Sequence, residues 1–392
     1  MATRLAKFEF QQGFHRETTA YAEGQRWFDG NYVRFRSGRP ENIRGYETRA
    51  LGATFDGSAR DLIVYSDSNS KKRAVFGTPE KLYAHEGDQI FDITPITTVV
   101  TLSNVFGTSS GSTRVCCSDN GHGRVVGDYV LFTSAATFNN VSLQGNTYKI
   151  VSVDSANVFT ISVTDAANAT GSDVGSATFK YYIPTGNSVA VAGLGYGAAK
   201  YQATVCASQT RAWNQPASAG SSGIVFNVTQ WSLDNWGEDV VANRSGSNIF
   251  YFDSDASVSP TRATSVTTSP VSSNSIIVSP NDRHLICLGT NEFSPTATVS
   301  GTFNPMLVRW SDQDDRTNWV PSVSSTAGEV VLTDGTRIIG AVRSKNAINI
   351  WTDNALWLME FAGPPFTFRF TQAGTNCGMV GQHAGIDFGG VT

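Results

Sequence analysis

The stretch DLIVYSDSNSKKRAVFGTPEKLYAHEGDQIFDITP (Asp61–Pro95) decides the fold class of this chain. It contains four short segments of alternating character, separated by Gly, Ser, Asn and Asp residues that favour turns. The segments are DLIVYSD (Asp61–Asp67), RAVFGT (Arg73–Thr78), KLYAHEG (Lys81–Gly87) and QIFDITP (Gln89–Pro95). Connections of this length join antiparallel strands as hairpins, and four strands in about 35 residues match one blade of a β-propeller.

The composition extends this prediction to the whole chain. Charged residues make up 16% of the 392 residues, below the roughly 25% of an average globular protein. Gly, Ser, Thr, Asn and Val take their place, and long amphipathic segments with helical spacing are missing. We predict an all-β fold, a β-propeller that is incomplete at its C-terminus and carries an inserted small β-barrel domain.

Changes in residue composition and strand pattern along the sequence predict four regions. Residues 1–50 form an extended N-terminal arm for assembly, residues 51–95 the first propeller strands, residues 96–184 the inserted barrel and residues 185–392 the remaining blades. The barrel region is rich in Thr, Ser and Val, has only four Lys/Arg residues and contains no Trp. Its expected strands are TRVCCSD, DYVLFTS, NTYKIVSV, NVFTISVTD and SATFKYYI.

The last region contains a weak internal repeat. VTQWSLDNWGEDVVA (Val228–Ala242) and LVRWSDQDDRTNWVPS (Leu307–Ser322) share a W-S pair, then acidic residues, then a second Trp, which predicts two copies of one blade unit. NAINIWTDNALWLMEF predicts a hairpin that turns at Thr352, Asp353 and Asn354. The final CGMVGQHAGIDFGGVT resembles a strand that is cut short, which favours an incomplete ring over the alternative of a ring that closes by other means.

Several functional classes find little support in the sequence. A net charge of −4 and a pI near 5.8 argue against a dedicated nucleic-acid binder but fit a channel through which DNA passes without sticking.

The five cysteines, an odd number without framework spacing, predict reduced, buried thiols, and adjacent Cys116 and Cys117 must face opposite sides of a strand. The start lacks a signal peptide, and no apolar run is long enough to span a membrane. We therefore expect synthesis in the host cytoplasm.

No cofactor, metal or catalytic residues are expected. The histidines are scattered, without ligand neighbours at metal-site spacing, and no phosphate-binding loop, dinucleotide fingerprint or nucleophile elbow is present. We predict that the chain is not an enzyme.

The N-terminal sequence KFEFQQGFHRETTAYAEGQRWFDGNYVRFRSGRPENIRGYE (Lys7–Glu47) resembles the opening of tail nozzle or hub proteins of short-tailed bacteriophages. The resemblance implies a structural virion protein that stabilises packaged DNA and conducts it during ejection. It also implies a cyclic homo-oligomer of six copies, a portal or adaptor and tail-fibre or tail-tip proteins as partners, and genome DNA passing without sequence recognition. The inserted barrel resembles small domains on phage structural proteins, similar to one in ubiquitin-activating enzymes.

The residues of this segment suit subunit contact. Nine Lys/Arg residues and nine aromatic residues are interleaved within residues 1–49, together with six acids that offset most of the positive charge. Arginine and aromatic side chains are the usual anchors of protein interfaces. The candidate assembly contacts are Arg16, Trp27, Phe28, Arg34, Phe35 and Arg36. Ordinary blade packing and direct contact with DNA remain alternatives.

Two other functions use the same fold. A sialidase-like tail glycosidase is one, because Trp231, Ser232, Asp234 and Trp236 resemble an Asp-box turn. Glycoside hydrolysis needs two carboxylates at one cleft, and the acids available are Asp234, Glu238, Asp239, Asp312, Asp314 and Asp315. Turn aspartates usually bond to their own backbone, which favours a structural role. The other alternative is a receptor-binding or glycan-binding tail propeller, in which some of the eight Trp residues stack on sugars.

Overall fold

The computed structural model describes residues 11–16, 19, 21, 27–43, 54–67, 70–185, 230–254, 261–295, 301–363 and 366–387. The chain divides into two compact units, Met1–Gly52 and Ala53–Thr392. Every regular element in the described ranges is a β-strand, so the predicted all-β class is confirmed. The search of these ranges finds no helix long and apolar enough to cross a membrane.

In the N-terminal unit, residues 33–42 form a two-stranded hairpin. Strand β1 (Val33–Arg36) pairs antiparallel with β2 (Arg39–Asn42). Ser37 and Gly38 join them with φ angles of 50° and 77°. Two consecutive residues with positive φ make the type I′ turn that matches the twist of a hairpin.

The larger unit begins with a four-stranded antiparallel sheet, here called sheet one. Its strands follow chain order and coincide closely with the four segments predicted from Asp61–Pro95: β3 (Asp61–Ser66), β4 (Lys72–Gly77), β5 (Leu82–Glu86) and β6 (Gln89–Asp92).

Six strands then form a closed barrel in the order β10-β11-β8-β7-β12-β9. Its strands are β7 (Ile96–Thr108), β8 (Arg114–Ser118), β9 (Tyr129–Ala135), β10 (Thr147–Ser155), β11 (Val158–Ser162) and β12 (Gly171–Tyr182). A small barrel was predicted here with five named strands; the first strand, β7, was not among them. Phe106, Phe132, Phe159 and Phe179 fill the interior and are almost completely buried.

Three further four-stranded antiparallel sheets follow, again with strands in chain order. Sheet two contains β13 (Trp231–Trp236), β14 (Asp239–Arg244), β15 (Ile249–Phe252) and β16 (Thr264–Ser265). Sheet three contains β17 (Ser273–Val278), β18 (Leu285–Asn291), β19 (Phe303–Trp310) and β20 (Gly328–Val331). Sheet four contains β21 (Ile338–Arg343), β22 (Ile348–Thr352), β23 (Ala355–Phe361) and β24 (Phe368–Thr375). The predicted hairpin is confirmed as β22–β23.

Successive sheets share apolar cores, so the four sheets form one stack. Val240 and Ala242 of β14 face the core shared with sheet one, whereas Val241 between them faces the core shared with sheet three. In β18, Leu285 faces sheet two and Ile286 faces sheet four. Neighbouring residues of a strand point to opposite faces, and a strand buried on both faces therefore reads as a continuous apolar run.

Two expectations about the last region are wrong. The W-S pairs do not mark copies of one unit, because Trp231 begins the first strand of sheet two whereas Trp310 ends the third strand of sheet three. The strand expected after Thr375 is absent from residues 376–387, and the predicted cut end at residues 388–392 lies outside the described residues. Glycine and polar residues dominate this segment, and the N–H groups of Cys377 and Met379 donate to the carbonyls of Asn354 and Thr352 without forming a strand.

The cysteines only partly follow the expectation of reduced, buried thiols. Cys117 and Cys287 are free and buried, and Cys117 faces the barrel interior as the alternation rule requires. Cys377 is free but exposed, and Cys116 takes part in a disulfide. Cys206 lies outside the described residues.

Candidate functional site

The six predicted assembly contacts lie in the N-terminal unit, where the hairpin separates them into two groups. Arg34 and Arg36 occupy the exposed face of β1, and Phe35 between them is half-buried on the other face. The ring of Phe35 meets the ring of Phe14 edge to face, with 5.3 Å between centroids. Strand alternation thus gives this unit one apolar face and one arginine-rich face.

Arg16, Trp27 and Phe28 lie in the segments that precede the hairpin. The Arg16 guanidinium pairs with the Asp29 carboxylate and lies 6.0 Å from the centre of the Phe28 ring. Its hydrogen bond to Asp29, together with the backbone N–H of Gly30, lowers the pKa of that carboxyl. Trp27 forms an isolated parallel bridge with Phe14, and its carbonyl accepts a 2.9 Å hydrogen bond from His15 N.

The arginine face of the hairpin carries a net positive charge. Arg34 forms an ion pair of 3.2 Å with Glu41, its cross-strand partner. Arg36 lies directly opposite Arg39, and among the described residues neither has an ion-pair partner. Like charges in direct cross-strand register repel each other unless an anionic group lies nearby. Arg39 and Glu41 are not among the contacts predicted from the sequence, although the S-G turn between VRFR and RPEN fixes this register.

A second candidate site lies where the four stacked sheets converge. A cavity of about 360 Å³ is lined by the first strand of every sheet. Strand β3 contributes Asp61, β13 contributes Ser232 to Asp234, β17 contributes Ser275 to Ile277, and β21 contributes Ala341 to Arg343. His383 reaches the same cavity from the segment after β24.

Asp61 and Asp234 use their carboxylates to join neighbouring sheets. Asp61 Oδ2 accepts a 2.7 Å hydrogen bond from Leu233 N in sheet two. Asp234 Oδ2 accepts one of 2.6 Å from Val278 N in sheet three, and the same carboxylate pairs with Arg343 of sheet four.

Ser232 makes a similar link, because its hydroxyl donates to the carbonyl of Ile276 at 2.8 Å and accepts from the N–H of that residue at 3.1 Å. These three side chains therefore provide hydrogen-bond or ion-pair partners for backbone groups and an arginine of neighbouring sheets.

The environment of Asp61 favours its neutral form. Burial raises the pKa of this carboxyl, and the negative charge of Asp234 acts in the same direction. The His383 ring and the N–H groups of Leu233 and Leu62 oppose the shift. A carboxyl whose pKa is raised beside a second carboxylate is an arrangement that can support acid–base chemistry, so among the described residues this cavity gives the glycosidase alternative a structural basis.

The other acids considered for glycoside hydrolysis do not line this cavity. Asp312 accepts hydrogen bonds from Gln313 N and Thr326 N, and Asp315 accepts one from Thr317 N. Asp314 pairs with Arg283 at the surface. Asp239 accepts the N–H of Ser254. Asp312 and Asp315 thus hold their own loop through backbone N–H groups, as the turn interpretation predicts, whereas Asp239 lies in β14 and Asp314 forms a surface ion pair. The Asp-box interpretation of residues 231–236 is wrong, because this segment is strand β13.

A metal centre is not evident in the described ranges, where no group of three or more His, Cys, Asp or Glu side chains could hold an ion.

Comparisons with known proteins add little to this picture. No protein-family model matches the chain, and no curated protein matches it. Twelve chains of solved structures match, among them the phage phi92 endosialidase, at 14% identity and a TM-score of 0.22. That match covers 90% of this chain and 51% of the endosialidase chain, so this chain spans about half of its length. At this TM-score the likeness carries no argument about fold or activity.

Proposed function

We propose that the chain is a structural protein of a bacteriophage tail, a nozzle or hub whose copies form a ring in the virion. The ring retains the packaged genome and conducts DNA during ejection. The N-terminal pattern at Lys7–Glu47 supports this assignment, and the resemblance gives six as the expected number of copies. Portal or adaptor proteins and tail-fibre or tail-tip proteins would lie at its two ends.

The sheet stack is, in this proposal, a β-propeller into which the barrel of residues 96–184 is inserted. Two observations support the assignment: each sheet is a four-stranded meander, and the first strand of every sheet lines the same cavity. Blades of a propeller are arranged in this way around their axis. The barrel is inserted between sheets one and two, which still share a core.

One observation carries the structural role: the acids at the convergence of the sheets bond to the backbone of the neighbouring sheet. Buried carboxylates that accept backbone N–H groups across sheets stabilise one rigid arrangement. Such a framework suits a protein that must withstand the pressure of packaged DNA. The net charge of −4 suits a lumen that DNA crosses without strong attraction.

The arginine face of the N-terminal hairpin is the proposed subunit contact. Arg36 and Arg39 are exposed and have no ion-pair partner within the described part of the chain, and the acidic balance of the chain means that a second copy offers carboxylates to pair with them. A contact between different surfaces of identical copies closes into a ring when its rotation allows.

The test is the oligomeric state of the purified full-length chain, measured by light scattering and negative-stain electron microscopy. We expect rings with a central channel. The double variant Arg34→Glu/Arg36→Glu should shift the population to monomers. The double variant Lys72→Glu/Lys345→Glu makes the same charge change at exposed positions of the larger unit and should leave the rings intact. A wild-type chain that stays monomeric, or rings unaffected by the hairpin variant, would reject the proposed contact.

Glycan binding or hydrolysis is the second candidate, and the cavity with Asp61, Asp234 and Arg343 is the observation that favours it. Purified protein incubated with host-type polysaccharides should then release reducing ends or bind them measurably. Asp61→Asn should abolish either effect, while Arg369→Gln, at an exposed position of β24, should not. Activity of this kind in a monomeric chain would replace the nozzle assignment.

A further inference from the structure

A buried pair of ionisable side chains lies away from both candidate sites. Asp282 and His284 belong to the loop between β17 and β18, and both are buried, His284 completely. The rings of Phe361 and Phe368 in sheet four pack against the imidazole, with 6.1 and 5.1 Å between centroids. The pair thus lies at the junction between sheets three and four.

One hydrogen bond of His284 shows which of its two ring nitrogens carries a proton. The Nδ1 atom lies 2.8 Å from the carbonyl oxygen of Ser311. A carbonyl oxygen only accepts hydrogen bonds, so Nδ1 must carry a proton. In a neutral imidazole the other nitrogen, Nε2, would then present a lone pair.

That lone pair would face the carboxylate of Asp282. His284 Nε2 lies 3.5 Å from Asp282 Oδ2, and within the described residues neither atom has another hydrogen-bond partner. The second oxygen of the carboxylate, Oδ1, accepts a 2.8 Å hydrogen bond from Ser279. Burial raises the pKa of the Asp282 carboxyl. Two unprotonated acceptors facing each other in an apolar site would be strongly unfavourable.

We propose that Asp282 and His284 hold one shared proton at neutral pH and act as a proton-dependent clamp between sheets three and four. The proton lies either on the imidazole of an ion pair or on a neutral carboxyl group. These two forms contain the same number of protons, so they titrate as one unit.

The charged groups around the pair do not supply an alternative partner. Arg283, between the two residues, pairs with Asp314 at the surface. On the facing hairpin of sheet four, Glu360 and Arg369 pair with each other, with Arg369 exposed and Glu360 partly exposed to solvent.

The sign of the pH dependence follows from counting protons. In the unfolded chain an aspartate is ionised, and a histidine loses its proton near its ordinary pKa of about 6.5. A folded state that keeps the shared proton above that pH binds one proton more than the unfolded state. Its stability is therefore full below about pH 6.5 and falls as the pH rises through the titration of the pair.

The test combines a local measurement with unfolding experiments on the full chain. In ¹⁵N-histidine spectra of the wild type at pH 7, we expect His284 to keep Nδ1 protonated and to show Nε2 sharing a proton. Between pH 6.5 and 8.5, the folding equilibrium constant of the wild type should fall by up to about tenfold per pH unit more than that of Asp282→Asn.

His122→Gln provides the matched control. His122 is also buried, but its Nδ1 accepts a hydrogen bond from Arg124 N and its Nε2 meets the carbonyl of Ser155, so it needs no extra proton. This variant should keep the wild-type pH dependence. An unshared lone pair on His284 Nε2 at pH 7 would overturn the proposal, and this result comes from the wild type even if a variant fails to fold. Equal pH dependence in the wild type and Asp282→Asn would also overturn it.

Discussion

The carboxylate of Asp234 on β13 accepts a 2.6 Å hydrogen bond from the backbone N–H of Val278 on β17, although 44 residues separate them. The same carboxylate pairs with Arg343 on β21. One side chain of sheet two therefore bonds to sheets three and four. Asp61 makes the corresponding link from sheet one to sheet two. The packing of the four sheets therefore rests on hydrogen bonds and an ion pair at the place where the sheets converge, as well as on the apolar cores between them.

We expect Asp234→Ala to lower the free energy of unfolding by about 2–4 kcal/mol, because it leaves a buried N–H without an acceptor and Arg343 without its partner. Urea denaturation measures the change. Asp314→Ala is the control, since Asp314 is 65% exposed in its pair with Arg283 and a surface pair contributes at most about 1 kcal/mol. Equal losses in the two variants would contradict the proposed role of Asp234.

The strands of the stack could largely be predicted from the sequence, and the link through Asp234 could not. Alternation and turn residues are local signals, and they located the strands of Asp61–Pro95 and the β22–β23 hairpin closely. The partner of Asp234 is set by how two sheets stack, which no local pattern records. The segment WSLDNW resembles an Asp-box turn in sequence, although it forms strand β13.

The missed strand β7 and the wrong W-S repeat have different causes. The Thr/Val-rich run at residues 96–101 carries a strand signal, but it lies at the very start of the region predicted as the barrel and is not among the five strands expected there. In the W-S repeat, the two tryptophans occupy different strand positions and pack against different sheets. Trp231 packs on Gly77 of sheet one, whereas Trp310 packs against Gly328 at the end of its own sheet. The arginine face of the hairpin was only partly predicted, because its turn was not recognised.

A methyl group at Gly77 should disturb the core between sheets one and two. A Cβ atom there would lie 2.3 Å from Cγ of Trp231, a completely buried side chain whose Nε1 donates to the Thr78 carbonyl. We expect Gly77→Ala to destabilise the protein by about 1–3 kcal/mol through overpacking, measured by thermal or urea unfolding. Gly381→Ala adds a methyl group where no atom lies within 4 Å and should change stability by less than about 0.5 kcal/mol.

The orientation of the barrel on sheet one should depend on Glu80. Its carboxylate accepts a 2.5 Å hydrogen bond from the Tyr129 hydroxyl and pairs with Lys149 at 2.8 Å, both from the barrel. Burial and this carboxylate raise the pKa of Tyr129, so the phenol remains a donor. We expect Tyr129→Phe to lower the free energy of unfolding by about 1–2 kcal/mol.

Tyr148→Phe is the matched change in the same barrel, because its hydroxyl donates a long, exposed hydrogen bond of 3.4 Å to the carbonyl of Ser142. Its effect should stay below about 0.5 kcal/mol. In a Glu80→Ala background the Tyr129→Phe substitution should have little further effect, since its acceptor is already absent. Full additivity of the two substitutions would show that the hydroxyl does not act through Glu80.

The loop after β19 should lose stability in acid through Asp312. Burial of this carboxyl acts to raise its pKa, but the hydrogen bonds from Thr326, Gln313 and Asn318 together lower it below 3.8. A carboxyl with a lowered pKa in the folded state contributes stability that is present above its unfolded pKa and is lost as the pH falls through the folded value. Asp312→Asn, which replaces one acceptor oxygen with a donor, should cost about 1–2 kcal/mol at pH 7. The difference from the wild type should persist to pH 5 in urea unfolding and shrink as the pH falls below about 3.8, where Asp312 becomes protonated in the unfolded chain and, at lower pH, in the folded protein. A difference that stays constant down to pH 2.5 would mean that the negative charge of Asp312 does not hold this loop.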